Sequence, residues 1–400
     1  MDPSSPYFPH GIFLPEAGSG HPSPRVFVSP QRYVQGVGVL DGVGRYLSLL
    51  DARHAAVLMT QRAERGEGQR LVKGLEKSGI TSTISAFNGE CSIEEITLHV
   101  ERLRDASIDC LIAVGGGKCV DAGKGVAFRL GIPIVVVPSL ASNDAPCSAL
   151  SVLYSPEGVS NGVEFYPNNP AFVVVDTAIV AAASERYLVA GMGDAMATWY
   201  EAQVCYANPS AVIAVGTRPT IAAAAIGEAC ARTLFADGVK AASAVARSEV
   251  TVELEQIVEA NTLLSGLGFE SGGLAAAHAF AQAYTGIPRV VENFLHGEMV
   301  AMGTLGQLML EKRQSEARKV AEFFADVGLP IHLGQLSVDN KDATALDTIA
   351  QGTMTFPYIA NMPMELDEGL VRTALLEADA LGLSVSADRG DAAFRRLQND

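Results

Sequence analysis

Residues 26–180 alternate β-forming runs with amphipathic segments, and that order leaves few folds open to the chain. HAAVLMT (54–60), ITSTISAF (80–87), CLIAV (110–114), PIVVVPS (133–139) and FVVVD (172–176) read as strands, the first of them as a buried one. Between the first two, RAERGEGQRLVKGLEKSG sets Leu71, Val72 and Leu75 at helical spacing. CSIEEITLHVERLRDAS opens with Ser92 three residues ahead of Glu95, the pattern of a capping box, and then turns helical. CVDAGKGVAFRL (119–130) reads as the next helix. A βαβαβ order with short links requires a mostly parallel sheet with helices on both faces.

Past about residue 180 the texture changes. Alanine becomes dense, as in TIAAAAIGEACARTLFADG, and helical periodicity runs through 186–206, 217–236, 248–266, 271–285, 297–314 and 316–327. The expected organisation is a mobile extension over 1–25, an α/β domain over 26–180 and an all-α domain over 181–400. The extension carries Pro3, Pro6, Pro9, Pro15, Pro22 and Pro24 among Ser and Gly, so it lacks the apolar centre of a secretory signal. Every apolar run is broken before ~18 residues, too short to span a membrane. With 29 Lys and Arg against 45 Asp and Glu the net charge is −16, which argues against a nucleic-acid partner. The six cysteines (Cys91, Cys110, Cys119, Cys147, Cys205, Cys230) form no CxxC pair and read as reduced thiols of a cytoplasmic protein.

Gly115, Gly116 and Gly117 follow a strand and precede a helix. Glycines there let backbone N–H groups approach a pyrophosphate, whose charge suits a helix N-terminus, and Lys118 could add a cation. The run is neither GxGxxG nor a P-loop, and a plain tight turn explains it about as well. The next connection, VPSLASNDAPCSALSVLY (137–154), is long and small-residued, at the carboxyl end of a strand where open α/β sheets bind ligands. Ser139, Ser142 and Ser148 could bond phosphate or a nicotinamide amide. Asp144 is either a carboxylate for substrate hydroxyls or simply a turn residue.

Three residues of the second half have the chemistry of metal ligands: Asp194 in AGMGDAMATWYEA, His278 in SGGLAAAHAFAQAYTG and His296 in NFLHGEMVAMG. One carboxylate and two imidazoles suit a divalent cation and leave a fourth position for substrate. Their spacings, 278 − 194 = 84 and 296 − 278 = 18, form no local motif. Read alone, a histidine near an apolar helix face is more often a satisfied core residue than a ligand, and Asp194 reads as a helix N-cap after Gly193. His10, His21, His54, His99 and His332 sit in no comparable context and read as surface or structural.

GGGKCVDAGKGVA, VPSLASNDAPCSALSVLY, AGMGDAMATWYEA, GLGFESGGLAAAHA and FLHGEMVAMG, with RYVQGVGVLDGVGRYL (32–47) and FNGECS (87–92), resemble in order the glycerol dehydrogenases. These belong to the iron-containing (group III) alcohol dehydrogenases, related in fold to dehydroquinate synthase. The likeness runs from about Val26 to Met364. It implies an N-terminal dinucleotide-binding domain, an α-helical metal-binding domain and an active site in the cleft between them. It implies that Asp194, His278 and His296 hold the metal, zinc in glycerol dehydrogenases and iron in other branches. It implies that Gly116, Gly117, Lys118, Ser139, Ser142, Ser148, Leu150, Val152 and Tyr154 line the NAD site, and that Asp144 lies beside substrate and metal. A homo-oligomer, commonly an octamer, is implied as well.

One position departs from the pattern. The family has an acidic residue after the first strand to hold the adenosine ribose; VLMTQRAER puts Thr60 there, with Arg62 and Arg65 close by. A threonine cannot accept two hydroxyls as a carboxylate does, so NADP stands as the alternative to NAD. The implied reaction starts from a small polyol whose hydroxyl is acidified on the metal. The alkoxide expels hydride to C4 of the nicotinamide, taking glycerol to dihydroxyacetone. Other diols or polyols would suit the same chemistry. A dehydroquinate synthase-like lyase is the rival class; it carries a glutamate ligand and a basic substrate set, neither of which this chain shows. A non-catalytic scaffold is disfavoured because the ligands, the glycine turn and Asp144 are all present.

Overall fold

The computed structural model describes residues 7–399. Eight strands are formed: β1 (Tyr33–Gly36), β2 (His54–Thr60), β3 (Thr81–Phe87), β4 (Cys110–Gly115), β5 (Ile134–Pro138), β6 (Leu150–Tyr154), β7 (Ser160–Phe165) and β8 (Phe172–Asp176). Six of them make one parallel sheet in the order β1-β8-β5-β4-β2-β3. Every residue of β4, β5 and β8 is buried, which is why these strands are continuous apolar runs; β3, at an edge, exposes Thr81, Ile84 and Ala86 instead.

Both faces of the sheet are covered. Ala55, Val57 and Met59 of β2, Ile112 and Val114 of β4, and Val135 and Val137 of β5 share a core with Leu40, Val43, Leu47, Leu71 and Leu75. On the opposite face helix Gly117–Leu130 lies so close that a Cβ at Gly123 would come within 2.5 Å of the Ala113 Cβ. The chain runs from β2 outward to β3, then returns to place β4 on the other side of β2. That reversal makes a topological switch point, flanked by the carboxyl ends of β2 and β4, Thr60 and Gly115. A Cβ at Gly115 would lie 3.3 Å from the Thr60 Cγ2.

Three local features differ from the sequence reading. Tyr33–Gly36 adds an edge strand beside β8, although YVQG is too short for a periodic signal. The 137–154 segment is more than a connection: after a 3-10 turn at Ala145–Cys147 it becomes β6, which pairs with β7 in an antiparallel hairpin. Ser92 caps helix Ile93–Leu103 by accepting from Glu95 N (3.1 Å), but the box does not close. The Glu95 carboxylate instead accepts from Asn88 N (2.8 Å) and meets His99 Nε2 (2.8 Å).

The chain divides into two compact units between Ala183 and Ser184, with 248–250 grouped with the sheet and His10–Phe27 with the helices. Residues 10–25 belong to the segment expected from composition to be a mobile extension; most of them are exposed, and its last residues are tied to distant parts of the chain. Arg25 Nη1 donates to Pro219 O (2.6 Å), Arg218 Nε donates to Ser23 O (2.6 Å), and the Arg25 guanidinium lies over the Tyr206 ring. Proline-rich backbone makes no helix ladder, so its carbonyls are open acceptors for arginine. Residues 1–6 of that extension lie outside the described residues.

Among the described residues the second unit has helices and no strand, apart from an isolated bridge between Arg25 and Arg218. The expected 271–285 helix is split: Ser265–Gly272 ends at Gly273 (φ 99°), and a new helix starts at Ala276. A Cβ at Gly273 would also meet Cys205 Sγ at 2.8 Å. A π-helical turn, Ala260–Leu264, joins Val252–Glu259 to Ser265–Gly272. No helix among the described residues is long and apolar enough to cross a membrane, and the six cysteines are buried and in no disulfide.

Candidate metal and coenzyme sites

Helices Glu185–Ala207, Ala276–Tyr284 and His296–Leu310 bring the three candidate ligands together. Asp194 lies in the middle of the first, so it is not an N-cap. Ser184 caps that helix instead, accepting from Arg186 N. The first and third helices touch backbone to backbone. A Cβ at Gly193 would stand 2.3 Å from Gly297 O, and one at Gly297 only 1.8 Å from Ala190 O. Neighbouring residues, Asp194 and His296, are thereby forced together. The second and third helices cross at Gly303, where a Cβ would meet Ala277 O at 2.1 Å. Glu298 steadies the start of the third helix: it accepts from Leu295 N (2.7 Å) and pairs with Arg186 through both carboxylate oxygens (2.8 Å each).

His278 Nε2 and His296 Nε2 each lie 3.4 Å from the same oxygen, Asp194 Oδ1. The three ligand atoms fall within 4.8 Å of one another. Asp194 is buried, and neither of its oxygens has a hydrogen bond of ordinary length. A tetrahedral centre with bonds of ~2.1 Å has ligand atoms about 3.4 Å apart, so the two nitrogen–oxygen spacings suit a shared cation. Burial pulls Asp194 upward, but His296 and His278 outweigh it and hold the carboxyl well below the usual range. Burial disfavours charge on His278, yet Glu201 and Asp194 together hold its pKa well above the ordinary value. The buried carboxylate is thus held in its charged form by the two imidazoles it faces.

Sequence reasoning missed Glu201. It sits two turns after Asp194 on the same face of one helix, fully buried, with its Oε2 2.6 Å from His278 Nδ1. The signal was present in AGMGDAMATWYEA, a second carboxylate at i+7 in an otherwise apolar and small-residued helix.

In the sheet unit, Gly116 caps helix Gly117–Leu130 in extended conformation, and a Cβ at Gly117 would strike Asn143 Nδ2 at 2.8 Å. Lys118 is engaged by Glu90 (2.7 Å) and lies over the Tyr154 ring. Asp144 precedes the 3-10 turn, but its side chain does not cap it. Ser139, at the end of β5, is buried and donates its N–H to Gly115 O; Ser142 is partly buried in the loop that follows. Ser148 is buried against Lys124, whose ammonium also donates to Ala145 O (2.6 Å), Leu150 O (2.8 Å) and Asp121 (3.1 Å). Asp121 in turn accepts from Val152 N (3.0 Å). This Asp121–Lys124 pair, one helical turn apart, ties the Ser148–Val152 segment to the glycine-turn helix; it too was missed. Thr60 Oγ1 accepts from Ala63 N as an N-cap, and Arg62 is paired with Glu67 (2.6 Å).

Residues 30–177 match the family model described as iron-containing alcohol dehydrogenase. The chain is 42% identical over 365 residues to a glycerol dehydrogenase of Escherichia coli O6:H1, covering 90% of this chain and 97% of that protein. A crystal structure of a probable glycerol dehydrogenase from Sinorhizobium meliloti 1021 aligns with TM-score 0.83 and 38% identity, over 90% of this chain and 99% of that one. The glycerol dehydrogenase structure from Schizosaccharomyces pombe aligns with TM-score 0.86 and 34% identity, over 92% and 93%. With the ligand cluster, the glycine turn and the switch-point sheet in place, the chain belongs to the glycerol dehydrogenase group of the iron-containing alcohol dehydrogenase family.

Proposed function

We propose that this oxidoreductase takes glycerol to dihydroxyacetone at the secondary hydroxyl, and back, with NAD as coenzyme and a zinc ion held by Asp194, His278 and His296. The observation that carries the reading is the convergence of two imidazole nitrogens on one buried carboxylate oxygen that has no ordinary hydrogen bond. A divalent cation held by these three residues would supply a Lewis acid to make a hydroxyl acidic, and a bound nicotinamide would supply the hydride acceptor.

The chain's own residues do the rest. Asp194 cancels only one of two positive charges, which keeps the site electrophilic. His296, with its side chain 51% exposed, leaves one side open to substrate. Asp144 orients a terminal hydroxyl or passes on its proton. The N–H groups of Gly116 and Gly117, at the start of a 14-residue helix, hold the pyrophosphate. Lys118, Ser139, Ser142, Ser148, Leu150, Val152 and Tyr154 line the coenzyme, and Thr60 faces the adenosine ribose. NADP is the second reading, supported by the uncharged Thr60, while the pairing of Arg62 with Glu67 supports NAD. Iron in place of zinc uses the same three ligands. The six buried cysteines, in no disulfide, support a cytoplasmic protein, and the family supports a homo-oligomer, up to an octamer.

The test is the appearance of reduced nicotinamide with purified protein, glycerol and either coenzyme, before and after chelation and after return of zinc or iron. Metal-dependent reduction is expected. Bound metal and nucleotide with no turnover of any alcohol or ketone would refute the reading.

A further inference from the structure

We propose that Glu201 is a positioning residue that sets the tautomer and orientation of His278, so that its Nε2 lone pair faces the cation. This rests on the metal reading above.

Glu201 receives three N–H donors from two sides. Its Oε1 accepts from Ala275 N (2.8 Å) and His278 N (3.0 Å), and its Oε2 from His278 Nδ1 (2.6 Å). A neutral imidazole carries one proton, so a proton held on Nδ1 leaves Nε2 bare. That bare nitrogen lies 3.4 Å from Asp194 Oδ1. In the neutral ring without a cation this sets a lone pair against a carboxylate; with a cation, both become ligands. The same carboxylate caps helix Ala276–Tyr284 and so fixes the backbone from which the ring projects. Because Asp194 and Glu201 lie on one helix, a ligand and the support of a second ligand move as a rigid body.

Glutamine cannot replace this carboxylate. It offers one acceptor oxygen and an NH2 donor. If the oxygen faces the two backbone N–H groups, the NH2 meets Nδ1 and drives the proton to Nε2, which then cannot ligate. If the oxygen faces Nδ1, the NH2 opposes the backbone donors. Gln307 provides the control. Its Oε1 accepts from Ala277 N (2.9 Å) at the same helix end but makes no bond to the ring.

The experiment measures zinc affinity by chelator competition for wild type, Glu201→Gln and Gln307→Met, with melting of each metal-free protein. Solid-state 15N spectra of ring-labelled histidine follow, in alkaline metal-free samples, with His278 assigned by His278→Asn. Glu201→Gln should lose roughly tenfold to a hundredfold in zinc affinity, the range for such outer partners. Gln307→Met should hold close to wild type, and wild-type His278 should carry its proton on Nδ1. Equal zinc affinity in wild type and Glu201→Gln, an equal loss in Gln307→Met, or an Nε2–H tautomer in wild type each overturns the inference. The last does so even if Glu201→Gln fails to fold. Failure of wild type itself to take zinc overturns the metal reading along with it.

Discussion

Substituting Gly297 by alanine separates two opposing effects at the helix crossing. Helix propensity alone favours alanine by at most about 1 kcal/mol, the figure for a helix interior, since Gly297 is the second residue of its helix. Against that, the new Cβ would sit 1.8 Å from Ala190 O and 2.6 Å from Ala190 C, and the obstacle is backbone, which cannot rotate away. Cβ contacts under 3.0 Å are essentially never found, so the helices must part by at least 3.0 − 1.8 = 1.2 Å. Overpacking of this kind costs ~1–3 kcal/mol, enough to cancel or exceed the propensity gain. The larger effect falls on the site. His296 adjoins Gly297, and its Nε2 lies 3.4 Å from Asp194 Oδ1. Metal sites tolerate only about 0.2 Å in bond length. A shift near 1 Å in a positioned group costs about 100-fold in rate. The expected outcome for Gly297→Ala is a modest fall in melting temperature, sub-stoichiometric zinc and a ~100-fold loss in kcat/KM for glycerol. Gly11→Ala, where a Cβ meets nothing within 4 Å, should behave as wild type. The crossing argument is refuted if Gly297→Ala melts higher than wild type and holds a full equivalent of zinc.

Three further outcomes are expected. Lys124→Met leaves Asp121, whose pKa burial already raises, without its ammonium and should destabilise the protein by roughly 3–5 kcal/mol in denaturant unfolding; a change under ~0.5 kcal/mol would show that the pair contributes little. Thr60→Asp keeps the N-cap while adding a carboxylate, and should shift the NAD over NADP ratio of kcat/KM by about tenfold or more; an unchanged ratio would remove Thr60 from the ribose site. Zinc uptake should release protons and tighten as pH rises through neutrality, because the metal-free His278 has a raised pKa and must lose its proton to ligate. The sign is opposite for the metal-free fold: that raised pKa stabilises it below the unfolded value and the benefit is lost as pH rises through the folded one. Zinc binding in a weakly buffered indicator solution measures the release, and zinc affinity independent of pH would contradict it.

Five of the six strands of the parallel sheet were readable from the chain, the central ones because a strand buried on both faces is an uninterrupted apolar run bounded by polar links. β2 and β8 form over the very runs HAAVLMT and FVVVD. Glycine flanked by strand and helix likewise marked the turn at 115–117, where a Cβ at Gly115 would meet Cys119 Cβ and one at Gly117 would meet Asn143 Nδ2, each at 2.8 Å. The metal ligands were readable only through the order of several motifs, since separations of 84 and 18 residues carry no period.

Secondary structure follows from preferences within a few residues, and those are written locally. The capping carboxylate of Glu95 was misassigned because Asn88 and His99, brought near by folding, compete for it. The ties at Ser23 and Arg25 have no local signal because their partners, Arg218 and Pro219, lie nearly two hundred residues away. Glu201 and His278 are 278 − 201 = 77 residues apart, and Gly193 and Gly297 are 297 − 193 = 104 apart. The chain by itself determined five strands of the parallel sheet, the change to helices past about residue 180 and the residues able to bind a cation. Only the packing of helices at glycine crossings decided that those residues meet, because contact between distant segments depends on shape complementarity that no local pattern encodes.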